Sequence, residues 1–254
     1  MKYFSLCLFT ILFAASVLFA QETKKFEETF SVDRDGTLSI ETYKGSINVE
    51  VWDKSEVYFK AIIEPDTDGW STSPKEQLER CTVEFGKSGN SIFLKSDYKK
   101  KLIDAMNTLA FVHYTVKVPA DFKIVVDDYK SESKLYGLNS QIDFETYKGE
   151  VKIYDFSGSI DLETYKGEIK IDFTDIKGNC SFDTYKGDIE LSIPSDEKFS
   201  VDFDLGRKGD YSGDFDIELS RFDRKSGEVY GNVNGGGDVI YFETYKGEIK
   251  LKRK

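Results

Sequence analysis

Beyond residue 20 this sequence has no apolar run long enough to cross a bilayer. It also lacks a basic excess. The net charge is −11, or −12 without Lys2, which speaks against nucleic acid and anionic membrane surfaces as partners. Histidine is nearly absent. The only one, His113, sits in "FVHYTVKV" out of phase with Val112, Tyr114 and Val116, which places it on the solvent side of a strand rather than in a proton-transfer site. Beyond residue 20 only Cys81 and Cys180 remain. Two separate buried thiols are the primary reading, because Cys180 in "NCSF" aligns with the inward Ile160 of "SIDL"; a Cys81–Cys180 disulfide is the alternative.

What is present begins with an N-terminal stretch, Tyr3 to Ala20, that carries no charge and follows Lys2. Residues 1–20 read as a secretory signal peptide removed after about Ala20, with an uncleaved anchor as the alternative. The expected location is therefore extracytoplasmic, periplasmic or at the cell surface, with no membrane span after cleavage.

The dominant feature is one polar hexapeptide written many times. "ETYKGE" occurs at 145–150, 163–168 and 243–248, with "DTYKGD" at 183–188 and "ETYKGS" at 41–46. Aligning Ser131, Gly149, Gly167, Gly187, Gly209, Gly227 and Gly247 gives spacings of 18, 18, 20, 22, 18 and 20 residues. Such a period marks a stacked array. Within one unit, Ile160, Leu162 and Thr164 alternate with Asp161, Glu163 and Tyr165, and Ile169, Ile171 and Phe173 alternate with Glu168, Lys170 and Asp172. Period two in both arms means strands. The glycine after Tyr-Lys is expected to supply positive φ at the corner. One unit alone buries too few apolar side chains to offset the ordering of its backbone, so the units must stack.

These features predict an all-β fold: a single-stranded, parallel, right-handed β-solenoid with coils of 18–22 residues. Residues 127–254 form its regular repeats, and 21–126 a less regular β part with a short helix. That helix is capped by Ser73 with Pro74 at its first position. "TVEFGKSGNSIFLK" reads as a hairpin. Leu102, Ile103, Met106 and Leu109 offer helical spacing, with a covering loop as the alternative, and Trp70 folds back over the nearby helix. The basic tail "IKLKRK" reads as protection for an open last strand edge.

Stacking turns outward positions into ladders. Tyr129, Tyr147, Tyr165 and Tyr185 form one row and Lys130, Lys148, Lys166 and Lys186 the next. Glu150, Glu168, Asp188, Asp210, Glu228 and Glu248 form a third, whose repulsion the lysines offset. The candidate ligand-binding residues are Tyr147, Tyr165, Tyr185, Tyr245, Lys148, Lys166, Lys186 and Lys246, as aromatic faces for sugar rings with polar neighbours for the hydroxyls. Mutual stacking of the tyrosines is the structural alternative. Catalysis needs a unique cluster of acid, base and often metal. The carboxylates here recur in rows, and Arg207, Arg221 and Arg224 meet no distinctive partner, so no catalytic residue, metal or cofactor is assigned. "NGGGDVIYF" and "GDYSGDFDIE" read as turns.

"GTLSIETYKGSINVEVWDKSEV" and "YTVKVPADFKIVVDDYKSESKLYGLNSQIDFETYKGEVKIYDFSGSIDLETYKGEIKI" resemble the bacterial extracytoplasmic β-solenoid domains labelled "putative adhesin", a family of unknown function. The resemblance implies the same fold and brings no catalytic residues. The functional expectation is a non-enzymatic secreted or envelope protein presenting a repetitive Tyr/Lys/Glu surface to a protein or glycan. A polysaccharide-acting enzyme on a β-helix and an envelope stress-related structural component are the alternatives.

Overall fold

The computed structural model describes residues 22–68, 72–99, 108–222 and 228–254. The expected signal peptide, Trp70, Leu102, Ile103, Met106, Arg224 and Gly227 lie outside them. Everything described is strand or turn except one helix, and no described helix is long and apolar enough to cross a membrane.

The chain starts with β1 (Lys24–Ser31), β2 (Thr37–Val51) and β3 (Glu56–Glu64). Helix α1 (Pro74–Arg80) follows, with Ser73 as its N-cap accepting from Glu76 N–H and proline in its first turn. Next come β4 (Cys81–Ser88) and β5 (Ser91–Tyr98), the antiparallel hairpin expected around Gly89. After β6 (Phe111–Val118) the regular strands run β7 (Lys123–Tyr136), β8 (Asn139–Thr146), β9 (Glu150–Lys166), β10 (Ile169–Ile176), β11 (Cys180–Lys186) and β12 (Ile189–Ile193). The last are β13 (Phe199–Asp204), β14 (Lys208–Gly213), β15 (Glu218–Phe222), β16 (Glu228–Val233) and β17 (Asp238–Arg253).

Strands that carry the hexapeptide pair in parallel and in register, each copy over its counterpart: Glu145↔Glu163, Glu163↔Asp183 and Asp183↔Glu243. The rungs follow in space as β5/β6, β2, β7, β8/β9, β9/β10, β11/β12, β17 and β13/β14. Space and sequence therefore disagree at both ends. β2 is slotted between β5/β6 and β7, and β17 between β11/β12 and β13/β14.

This order overturns two expectations. The tail is no open edge: Ile249 and Leu251 pair with Ile189 and Leu191 on one side and with Tyr211 and Gly213 on the other. Its basic residues meet carboxylates, Lys252 with Glu190 at 2.8 Å, Arg253 with Asp216 at 3.5 Å, and Lys254 with Asp172. Glu228 also leaves the third row, because β16 runs antiparallel to β13 and sets Glu228 opposite Asp204. The chain uses this β15/β16 hairpin, rather than another parallel rung, before turning back to insert β17.

Inward side chains merge into one core. Ile40, Val126, Phe144, Leu162, Phe182, Phe242 and Phe203 form one column, each no more than 3% exposed. Cys180 takes the core place beside Ile240, and Cys81 is buried elsewhere; both thiols are free. Burial pushes Cys81 up to about 12 and Cys180 up to about 11, which keeps both protonated and inert.

The corner glycines have a different reason from the one expected. Gly149, Gly167 and Gly187 are outside the positive-φ region, whereas Gly45 and Gly247 have φ of 141° and 156°. What the corners share is proximity. A Cβ on Gly167, Gly187 or Gly247 would stand 2.0, 1.8 or 1.9 Å from the carbonyl oxygen of the glycine on the adjacent rung.

A ladder corner with a carboxylate cleft

The corner begins inside. Thr146, Thr164, Thr184 and Thr244 are buried on successive rungs, and Thr42 continues the column two rungs before Thr146. Thr146 Oγ1 accepts the Gly149 N–H at 3.0 Å. One rung departs from the rule twice, with Asp128 in the threonine column and Ser131 in the glycine column. The two changes answer each other. Asp128, 4% exposed, accepts from Ser131 N–H at 2.7 Å, Ser131 Oγ at 2.6 Å, Lys130 N–H at 3.2 Å and Thr146 Oγ1 at 2.9 Å. Burial raises the Asp128 carboxyl above its ordinary value, and these donors hold it down.

Such compensation predicts a non-additive cycle. Asp128→Thr and Ser131→Gly should each cost about 2 kcal/mol in urea unfolding, since each strands polar groups of the other. The double variant, which restores the regular Thr-Tyr-Lys-Gly corner, should return to within about 1 kcal/mol of the parent. Additive losses would show that the two sites are unrelated.

Outside, the rings stack in one series: Tyr43–Tyr129 at 4.5 Å, Tyr129–Tyr147 at 4.9 Å, Tyr147–Tyr165 at 4.8 Å, Tyr165–Tyr185 at 4.9 Å and Tyr185–Tyr245 at 5.0 Å between centroids. Interplanar angles are 3° to 14°. The spacing is that of the strands themselves. Tyr98 closes the first end, edge-on to Tyr43 at 6.0 Å. Each inner ring therefore has both faces covered by its neighbours, and the series turns ring edges and hydroxyls to solvent. Sugar rings cannot lie on those faces. What remains for a ligand is a line of phenol hydroxyls.

Two charged rows flank it. Glu41, Asp127, Glu145, Glu163, Asp183, Glu243 and Asp204 are exposed and in register. Among the described residues only Glu41 in that row has an ion-pair partner, Lys95 at 2.7 Å. Partial burial first, then the Glu243 and Asp161 charges, raise Asp183. On the other flank run Lys44, Lys130, Lys148, Lys166, Lys186, Lys246 and Lys208, of which Lys44 meets Asp66 at 2.8 Å. The Lys148 and Lys166 ammoniums lie 5.1 Å from the centres of the Tyr147 and Tyr165 rings.

Three members of the third row are neutralised by lysines other than those expected. Glu150 pairs with Lys152 at 2.7 Å, Glu168 with Lys170 at 3.9 Å and Glu248 with Lys250 at 2.9 Å, each two residues further along the chain. The corner lysines Lys130, Lys148, Lys186, Lys208 and Lys246 are thereby left exposed.

The structure thus brings Tyr147, Tyr165, Tyr185 and Tyr245 into one line and Lys148, Lys166, Lys186 and Lys246 into the next. Tyr129 and Lys130 stand in the same two lines as expected, and the structure adds Tyr43 and Lys44. The hexapeptide "ETYKGS" signalled Tyr43, but the intervening residues concealed that its rung adjoins β7. At this end the ladder borders a cleft of about 640 Å³, with Glu41, Asp127, Glu145 and Glu163 beside the rings and Lys95 to Tyr98 with Leu109 as the wall. His113 is elsewhere, on the outer face of β6, with Nδ1 2.9 Å from Ser46 Oγ and Nε2 3.8 Å from Glu64.

Parallel rungs that repeat one corner in register define a class of all-β extended domains. Residues 131–252 match the model of the family described as Toastrack DUF4097. The likeness to an adhesin-labelled family of unknown function, read from the hexapeptide units, is thereby met. Solved structures to which the chain shows some similarity include a "putative cell adhesion protein" from Clostridium sporogenes, at 14% identity over 91% of this chain and 100% of that one, with a TM-score of 0.48. A "putative adhesin" from Bacteroides fragilis is 12% identical over 92% and 99%, with a TM-score of 0.42. A "putative lipid binding protein" from Parabacteroides distasonis is 9% identical over 92% and 98%, with a TM-score of 0.28. No curated protein matches this chain.

Proposed function

We propose that this protein is a non-enzymatic, secreted or envelope β-solenoid, right-handed and single-stranded, that binds an extended partner, protein or glycan, along the tyrosine ladder. The parallel in-register rungs support the solenoid reading, and the uncharged N-terminal stretch supports export. One observation carries the binding reading. Tyrosine hydroxyls recur about every 5 Å between a carboxylate row and a lysine row that are largely without internal partners. A surface that needed only solubility would pair those rows with each other, as Glu150, Glu168 and Glu248 pair with Lys152, Lys170 and Lys250. An extended ligand can instead satisfy hydroxyl, carboxylate and ammonium groups at each step, so weak contacts add along its length.

The mode of contact sets the test. Changing Tyr147, Tyr165 and Tyr185 together to Phe removes three hydroxyls and keeps the stack, so thermal unfolding should be close to that of the parent. Binding on a glycan array, or capture of a partner from the envelope fraction, should fall at least tenfold. Unchanged binding by the folded triple variant would reject the ladder as the site.

A further inference from the structure

A second cleft lies away from the ladder, at the corner where β2 ends. It measures about 420 Å³ and is formed where three turns meet: Arg34 before β2, Val51 at its end with Trp52 to Lys54 after it, and Pro119 to Asp121 between β6 and β7. That volume is at the small end of the range of about 300 to 1,000 Å³ for ligand clefts, suited to one ring rather than to a chain. Trp52 is clamped into its wall. The backbone N–H of Trp52 donates to Val118 O at 3.0 Å and its indole N–H donates to Glu56 O at 2.7 Å. A half-buried indole fixed at both ends is a rigid apolar platform whose ordering cost folding has already met.

The groups around the platform are charged and open. Arg34, Asp53 and Lys54 are exposed and have no ion-pair partner among the described residues. The Lys54 ammonium lies over the indole, 4.7 Å from its centre, on a flexible side chain that a ring docking on that face displaces. Asp121 is exposed as well, with one oxygen accepting from Asn139 Nδ2 at 2.9 Å. Val51, Pro119 and Ala120 complete the apolar lining. A pyranose ring matches this set: its C–H face packs on indole and its hydroxyls hydrogen-bond to carboxylates. A carboxylate on the ring answers the two cations that have no ion-pair partner, and the planar fork of Arg34 can hold it by two hydrogen bonds. The chain's overall acidity does not prevent this, since charges beyond about 8 to 10 Å are largely screened at physiological salt.

We propose that the Trp52 pocket binds one uronic acid residue of an acidic glycan. The pocket is independent of the ladder reading, and its test separates the two. The sequence has two tryptophans, so Trp70→Phe leaves Trp52 as the only indole reporter. Titrating that variant with methyl glucuronide should give a saturable change in emission, with methyl glucoside at least tenfold weaker. Arg34→Ala, a change at an exposed turn, should weaken the glucuronide response at least tenfold. The Phe triple variant of the ladder should leave it unchanged. No saturable response, an equal response to glucoside, a response that survives Arg34→Ala, or one lost with the ladder hydroxyls would each overturn the proposal.

Discussion

Deletion of residues 238–254 should abolish cooperative folding of the whole stack, although it removes only the C-terminal strand. β17 is an inner rung, hydrogen-bonded to β11/β12 on one side and to β13/β14 on the other. Its Ile240, Phe242, Ile249 and Leu251 are each no more than 2% exposed. Burying four such side chains contributes about 6 to 12 kcal/mol, at about 1.5 to 3 each. That is comparable with the whole stability of a typical domain, about 5 to 15 kcal/mol. The deletion would also leave two facing strand edges with unpaired backbone groups, a gap that the core cannot close without moving β13/β14 and the β15/β16 hairpin together. Urea unfolding followed by circular dichroism should show a broad, shallow loss of signal, and the chain should elute as aggregate. A sharp transition with nearly the parent's denaturant dependence would mean that β17 is an outer rung after all.

The same insertion explains which parts of the fold were legible in the sequence. Strands and their inward faces were, because alternation is local: Ile160, Leu162, Ile169, Ile171 and Phe173 are all buried as their period demands. The Ser73 cap and the hairpin at Gly89 were legible for the same reason. The order of rungs was not. Near-identical hexapeptides fit over one another in any order, so the repeat fixes the register of a pairing without naming the partner. Glu243 fits over Asp183 as well as any closer copy would, and nothing in "IKLKRK" distinguishes an inner rung from an outer one. In the candidate site, the line of Tyr147, Tyr165, Tyr185 and Tyr245 followed directly from the repeat. Its chemistry did not, because the identity of a residue says nothing about which side of its ring is left open. That depends on the rung spacing, which at 4.8 to 5.0 Å closes the inner faces of these rings. The Trp52 pocket had no repeated signal at all, since it is made where three unrelated turns converge.

Gly187→Ala should be among the most damaging single substitutions in the chain, and it distinguishes two reasons for a recurring corner glycine within one molecule. Were backbone freedom the reason, alanine would be tolerated at Gly187, whose φ is outside the positive region, and could even add about 0.4 to 1 kcal/mol by restricting the unfolded chain. Packing predicts the opposite sign. The new Cβ would stand 1.8 Å from Gly167 O and 2.9 Å from Gly167 C, both backbone atoms of a rung held in place by hydrogen bonds. Relief requires the rungs to part by more than an ångström at the corner, which stretches the bond from Gly167 N–H to Lys186 O, now 3.4 Å, and opens the Tyr165–Tyr185 stack. Overpacking against side chains costs about 1 to 3 kcal/mol, and here no rotamer can yield, so a loss of about 3 to 5 kcal/mol is expected. At about 2 to 4 °C per kcal/mol for a chain of this size, the midpoint should drop by roughly 10 °C. Gly89→Ala supplies the contrast. That residue has φ of 60° and no atom within 4 Å of the added Cβ, so only the backbone term of about 1 kcal/mol applies. Differential scanning calorimetry of the two variants decides the matter. If Gly89→Ala costs as much as Gly187→Ala, the corner glycines serve conformation rather than the close approach of one rung to the next.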